Sequence, residues 1–99
     1  MTNVALESQT VSTDYNGWSN YETWLINLWL TNEEPYYYEM QRILSTYTSL
    51  QDQADALLEF MQLEHEEQKV TGVWSDIIGN TLWRANWHEI AENNREEVR

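Results

Sequence analysis

Two histidines are the residues best suited to acid–base or metal chemistry, because imidazole titrates near neutral pH and readily binds metals. His65 lies in a run of glutamates, and His88 is followed four residues later by Glu92. That spacing places His88 and Glu92 on one face of a helix, but two ligands are too few for a convincing metal site. Neither histidine belongs to an H-E-x-x-H motif, which needs two histidines four residues apart. We therefore predict no bound metal and no cofactor.

Nucleophilic chemistry finds equally little support in the sequence. The chain has no cysteine, which excludes a disulfide framework, a thiol nucleophile and a zinc site built on thiolates. No serine lies in a G-x-S-x-G motif, and no glycine-rich loop is present to bind phosphate. Because the chain carries 17 carboxylates, chance pairs are unavoidable and none predicts a glycosidase. We predict that the protein is not an enzyme; a metal-dependent enzyme using His88 and its neighbouring glutamates is the least favoured interpretation.

The clearest pattern is acidic and lies on one predicted helix. At about 100° per residue, four of its carboxylates fall within roughly 60° of each other. They are Asp52, Asp55, Glu59 and Glu66. The apolar residues of the same helix point the opposite way, and these are Ala54, Leu57, Leu58 and Met61. Successive steps among the first three acids are about 4.5 and 6 Å along the axis, not far from the spacing of negative charge along a nucleic-acid strand. Further acidic patches comprise Glu33, Glu34 and Glu39, and Glu89, Glu92, Glu96 and Glu97.

The net charge of the whole chain supports a functional interpretation of this acidic pattern. Seventeen acidic and five basic residues give a formal net charge of −12. Such a charge disfavours direct binding to a phosphate backbone and favours basic partners. A solvated helix face is the commonest reason for acidic residues on a small protein. However, repulsion of this size destabilises the compact state, so we expect the field to serve a function.

Aromatic residues provide a second candidate surface. Trp24, Trp29 and Trp74 lie on apolar stripes, so we expect them to be buried together with Ile78 in a helical core. Other aromatic residues cannot all face inward on one side of a helix, and we expect some of them to form an exposed interface. These are Tyr37, Tyr38 and Trp83.

The elements that position these residues are predicted to be helices, because apolar residues recur at helical spacing and no segment alternates with a period of two. The first stripe is Tyr21, Trp24, Leu25, Leu28 and Trp29, preceded by a capping box from Ser19 to Glu22. Pro35 separates this helix from the second. Ser49 with Asp52 begins the third, which we expect to become a frayed end or loop over Glu64–Lys69.

A fourth helix is predicted over Val73–Arg84, and Asn86 with Glu89 caps a fifth that runs to about Asn94. The periodicity does not show whether the fourth and fifth helices are continuous. The expected fold is all-α, a compact bundle of four to five short helices over residues 18–99. Residues 1–17 are polar and without a period, and we expect them to form a flexible arm. The 99 residues thus predict a single helical domain.

Membrane and export signals are lacking in the sequence. No apolar run is long enough to span a membrane. The first 17 residues have neither a basic start nor an apolar stretch, so no secretory signal is predicted. The expected location is the cytoplasm of the bacterial host.

Two tryptophan-rich blocks carry a resemblance to a known family. Asn20-Tyr21-Glu22-Thr23-Trp24 resembles the opening of a family of small uncharacterised proteins found in bacteriophages, plasmids and some bacteria. That family's second signature is similar to Trp74–Gly79 and to Asn86-Trp87-His88-Glu89-Ile90-Ala91-Glu92. The resemblance spans residues 18–93 and implies an origin on a mobile element. It implies no mechanism.

Charge and mobile-element origin together predict an inhibitor of a host defence nuclease of the CRISPR or restriction type. It would occupy the basic nucleic-acid-binding surface of that protein, with acidic side chains replacing phosphates as in a DNA mimic. The expected contact residues are Asp52, Asp55 and Glu59, followed by Glu66 and the pair Glu33 and Glu34. The alternative is an adaptor or regulatory module that binds a protein through exposed aromatic residues. A homodimer is compatible with either function.

Overall fold

The structure is a computed structural model that describes residue 15 and residues 17–95. Over this part of the chain it contains five helices and no strand, which confirms the all-α prediction. The helices are α1 (Tyr21–Asn32), α2 (Glu34–Thr46), α3 (Leu50–Gln68), α4 (Gly72–Arg84) and α5 (Trp87–Asn94). None of these helices is long and apolar enough to cross a bilayer. Most of the predicted arm lies outside the described residues, and so do residues 96–99 at the other end of the chain.

Side-chain caps begin three of the helices. Ser49 Oγ accepts a hydrogen bond from the Asp52 N–H at 3.0 Å, and Asn86 Oδ1 accepts one from the Glu89 N–H at 3.0 Å, as the sequence predicted. The predicted cap of α1 was wrong by one residue. Asn20, not Ser19, caps this helix, and its Oδ1 accepts from the Thr23 N–H at 2.9 Å. The Ser19 hydroxyl instead donates to Glu89 Oε1 at 2.7 Å, which ties the start of α1 to α5.

The breaks between helices lie close to the predicted positions. Pro35 occupies the first turn of α2, which begins at Glu34, and Glu33, the cap residue before the helix, has extended backbone. Helix α3 continues as regular helix to Gln68, farther than the sequence predicted, and ends at Lys69 in a left-handed conformation with φ 56°. Helices α4 and α5 are separate, because Ala85 and Asn86 both have extended backbone.

Helix α3 lies at the centre of the bundle and packs against α2, α4 and α5. Its Leu57 is completely buried, and Gln53 is buried with its Nε2–H₂ donating to the Leu44 and Tyr47 carbonyls at 3.1 and 2.8 Å. This amide therefore caps the end of α2 from within the core. The other fully buried large side chains are Leu30, Met40, Ile43 and Ile90, with Thr23 beside them.

The predicted tryptophan core was wrong. Trp29 and Trp74 are 52% and 65% exposed, Trp24 is half-buried, and Ile78 packs against the edge of the core. The buried face of α1 is instead formed by Thr23, Ile26 and Leu30. Because α1 is apolar on nearly every side, its periodicity does not select this face.

A buried threonine determines which face of α1 packs against the core. The Thr23 hydroxyl donates to Asn20 Oδ1 at 2.6 Å and accepts from the Asn86 N–H at 2.8 Å. Asn20 Nδ2 in turn donates to the Arg84 carbonyl at 3.0 Å. We call Asn20, Thr23 and Asn86 the polar hub; it clamps the start of α1 onto the junction between α4 and α5.

We predict that Leu30→Ala lowers the free energy of unfolding by about 2–5 kcal/mol, because truncating a fully buried leucine leaves a cavity. Chemical denaturation followed by circular dichroism measures the change. Leu63→Ala, at an exposed site on α3, is the control and should change stability by less than about 0.5 kcal/mol. Equal destabilisation by the two variants would contradict the observed helix register.

We also predict that Thr23→Val costs about 1–3 kcal/mol of stability, since valine keeps the shape but leaves the Asn86 N–H without its acceptor. Thr31→Val is the matched control, because the Thr31 hydroxyl donates only to carbonyls of its own helix, at 2.8 Å to Asn27 and 3.3 Å to Leu28. Thermal unfolding of both variants makes the comparison. A Thr23→Val protein as stable as the control would show that the polar hub contributes no net stability.

Candidate functional site

The four predicted carboxylates of α3 lie on one exposed side of that helix. We call Asp52, Asp55, Glu59 and Glu66 the acidic face. Their helix buries Ala54 and Leu57 on its other side, so the opposition expected from the sequence is present. The acidic face is therefore open to a partner along about four turns of α3.

The acidic face is largely unneutralised. Between residues 17 and 95 there are two ion pairs, and these join Arg42 to Glu39 and Arg84 to Glu22. The hydrogen bond from Arg42 lowers the pKa of the Glu39 carboxyl, an effect that partial burial opposes. Arg42 and Glu59 line the same shallow cleft of about 240 Å³, yet Arg42 pairs with Glu39. No described cation lies within ion-pair distance of the acidic face.

Asp55 lies at the edge of the acidic face that borders α5. It accepts a hydrogen bond from Gln51 Nε2 at 2.9 Å, and Gln51 Oε1 is 2.9 Å from His88 Nε2. Asp55, His88 and Trp83 line a groove of about 470 Å³. The Trp83 side chain is 80% exposed, so this groove contains both an exposed aromatic ring and a carboxylate.

Glu33 and Glu34 lie apart from the acidic face, at the junction of α1 and α2. Glu34 accepts a hydrogen bond from the Tyr38 hydroxyl at 3.1 Å. Glu33 lines a depression together with Met61, which lies on the side of α3 opposite the acidic face. The six predicted contact carboxylates therefore do not form one continuous surface.

The predicted aromatic residues are also divided. Tyr38 is exposed, whereas Tyr37 is partly buried against the core on the same helix. Trp83 lies on α4, in the groove beside Asp55. The structure thus offers Trp83 and Tyr38 as separate exposed aromatic residues rather than one patch.

Each histidine has a polar partner on a neighbouring helix. His65 Nε2 is 3.1 Å from Ser75 Oγ, which joins α3 to α4, and His88 bonds Gln51 as described above. No group of three histidine or carboxylate side chains suited to a metal ion occurs among the described residues. Both histidines have positions that interhelical hydrogen bonding explains.

Sequence reasoning missed an apolar groove between α1 and α4. Its larger part, about 450 Å³, is lined by Leu25, Ile26, Trp29, Glu33, Tyr36 and Met61. A second depression of about 180 Å³ shares Tyr36 and Met61 and adds Glu64, His65, Gln68, Ile78 and Leu82. We call the two together the α1–α4 groove. The assignment of Trp29 to the core concealed this groove, and the spacing of apolar residues on α1 gave no signal for the correct buried face, because α1 is apolar on nearly every side.

Tyr36 forms part of the floor where the two depressions meet. Its hydroxyl is 3.4 Å from Glu64 Oε1, to which it donates. Burial raises the pKa of the Tyr36 hydroxyl, and the Glu64 carboxylate raises it further. The Tyr36 ring also meets Phe60 edge-on at 5.9 Å, which holds it against α3.

Comparison with known proteins gives a family and no function. No curated protein and no solved structure matches the chain. One family model matches residues 11–99, and its description is a family of unknown function. Its match includes every described residue of the acidic face and of the α1–α4 groove. The chain belongs to this family, DUF7249.

Proposed function

We propose that the protein is an acidic inhibitor that binds the basic nucleic-acid-binding surface of another protein. The proposed target is a host defence nuclease of the CRISPR or restriction type, in the cytoplasm of a bacterium that carries the protein on a mobile element. The observation that carries the proposal is the acidic face, with four exposed carboxylates on α3 and no ion pair to any described cation.

Geometry supports a contact by this face. The steps of about 4.5 and 6 Å between Asp52, Asp55 and Glu59 along α3 are of the same order as the roughly 3.4 Å between charges on one nucleic-acid strand. A rigid, regular helix holds the carboxylates in this row, so binding costs less ordering of the backbone than a flexible acidic tail would need.

The net charge of the protein is expected to speed its association with a basic surface. A formal charge of −12 on a small domain steers it toward a basic surface and raises the association rate. The same attraction weakens as salt screens it. The proposed inhibitor therefore acts by steric occupation of a basic surface and performs no reaction.

The exposed Trp83 favours a second candidate, an adaptor that binds its partner mainly through aromatic contacts. This side chain is 80% exposed and lines the same groove as Asp55, so the surfaces of the two candidates meet at this groove. They differ in salt dependence, because an apolar contact keeps its affinity as salt rises and a charged one loses it.

We predict that reversing Asp52, Asp55 and Glu59 to lysine strongly weakens inhibition. If each reversed contact loses about 1 kcal/mol, affinity falls by roughly 100-fold. The measurement is displacement of fluorescently labelled duplex DNA, or guide RNA, from purified CRISPR and restriction nucleases, followed by anisotropy at low and high salt. The wild-type protein should displace nucleic acid from its target, less effectively as salt increases.

The control for this variant reverses three dispersed carboxylates, Glu67, Asp76 and Glu92, which are exposed on α3, α4 and α5. Both triple variants raise the formal net charge by six units, so only location differs. The control should retain displacement within about threefold of the wild type. Equal loss in the two variants would show that global charge alone matters. Full activity after reversal of the acidic face would refute the proposed contact and favour the aromatic adaptor.

A further inference from the structure

The α1–α4 groove presents apolar side chains to solvent on two walls. On α1, Leu25 and Trp29 are one turn apart, and Trp29 is about half exposed. On α4, Ile78 lines the groove and Trp74 lies one turn before it on the same face. Met61 of α3 forms the floor between them. Exposed tryptophan beside a preformed apolar depression is typical of a protein contact site.

The length of one wall matches the spacing of anchors on a helix. Leu25 on α1 and Glu33, the residue that follows α1, are about 12 Å apart along the helix axis, and the anchoring positions i and i+7 of a docked helix are about 10.5 Å apart. The two walls are themselves helices with side chains spaced one turn apart. A third helix can place its own ridge of side chains between such rows.

The charge of the rim specifies the chemistry of that helix. Glu33 borders one part of the groove and Glu64 the other, and neither lysine nor arginine is among the described lining residues. A second copy of the chain would bring two such rims, each on a molecule of net charge −12, into contact. Like-charge repulsion of this size opposes self-association and favours a basic occupant.

We propose that the α1–α4 groove binds a basic amphipathic helix of a partner protein, with the apolar side of that helix on Trp29, Met61 and Ile78. Lysine or arginine residues flanking its apolar side pair with Glu33 and Glu64. This surface lies on the side of α3 opposite the acidic face and goes beyond the proposed inhibition. We expect substitutions in either surface to leave binding at the other unaltered, because the two surfaces share no residue.

The test uses a fluorescein-labelled peptide of about 18 residues with leucine at i, i+3, i+4 and i+7 positions and lysine elsewhere. One comparison peptide has the same composition with leucines spread around the helix, and another replaces each lysine by glutamate. Binding is measured by anisotropy, and the site is mapped by amide chemical shifts of the ¹⁵N-labelled protein. Only the basic striped peptide should bind saturably, with shifts centred on Leu25, Tyr36 and Ile78.

Substitutions identify the contact residues. Trp29→Ala should weaken peptide binding by about tenfold or more, whereas Trp83→Ala, an exposed tryptophan on the other flank of α4, should change it less than about twofold. Glu33→Lys should weaken binding more than Asp76→Lys, which makes the same change in net charge. Glu33 and Asp76 are both exposed, so their substitution is not expected to disturb the core. This pair of variants therefore tests the proposal even if Trp29→Ala alters the fold.

Three results would overturn the proposal. They are equal binding of the peptide with dispersed leucines, chemical shifts centred on the acidic face, and a concentration-dependent dimer in sedimentation that Trp29→Ala abolishes. The last would identify a second copy as the occupant. Loss of nucleic-acid displacement after reversal of the acidic face, with peptide binding retained, would separate this groove from the proposed inhibitory contact.

Discussion

The polar hub determines which side of α1 faces the core, and the open surfaces of the bundle depend on it. Thr23 is completely buried, and its hydroxyl is fully used between Asn20 and the Asn86 N–H. A buried hydroxyl without partners costs free energy, so α1 must keep Thr23 against the junction of α4 and α5. Ile26 and Leu30 then face inward with it. Leu25 and Trp29 lie on the flank, where they become one wall of the α1–α4 groove.

The excess of negative charge has two different structural outcomes. Part of it stabilises helix starts, because Glu22, Glu34, Asp52 and Glu89 lie in first turns, where carboxylates interact favourably with the helix dipole. Asp52 therefore has a structural role as well as a place on the acidic face. Asp55, Glu59 and Glu66 lie beyond the first turn of α3 and receive no such stabilisation. Their mutual repulsion therefore opposes folding without a compensating interaction in the described structure.

The sequence predicted best where local rules suffice. Helix number, the Ser49 and Asn86 caps and the acidic face follow from short-range spacing, and α3 is amphipathic enough to show which side is buried. Helix α1 is not amphipathic enough to show its buried side, because tryptophan and leucine residues lie on nearly all of its sides. There, the buried face depends on a threonine one of whose two partners, Asn86, lies 63 residues away in sequence. The exposure of Trp29, and hence the groove, could not be found from the spacing of apolar residues alone.

Helix α3 also explains how two contact surfaces can coexist on so small a domain. The acidic face lies on one side of the helix, and the buried Ala54 and Leu57 lie on the opposite side together with Met61, which lines the groove. Side chains on opposite sides of a packed helix share few partners, so the effects of changing them should be nearly additive. A basic nucleic-acid-binding surface and a basic amphipathic helix have the same sign of charge. The electrostatic field of a molecule with a net charge of −12 therefore steers either kind of partner toward it. Apolar contacts in the α1–α4 groove distinguish the amphipathic helix from the nucleic-acid-binding surface, which charge alone cannot do.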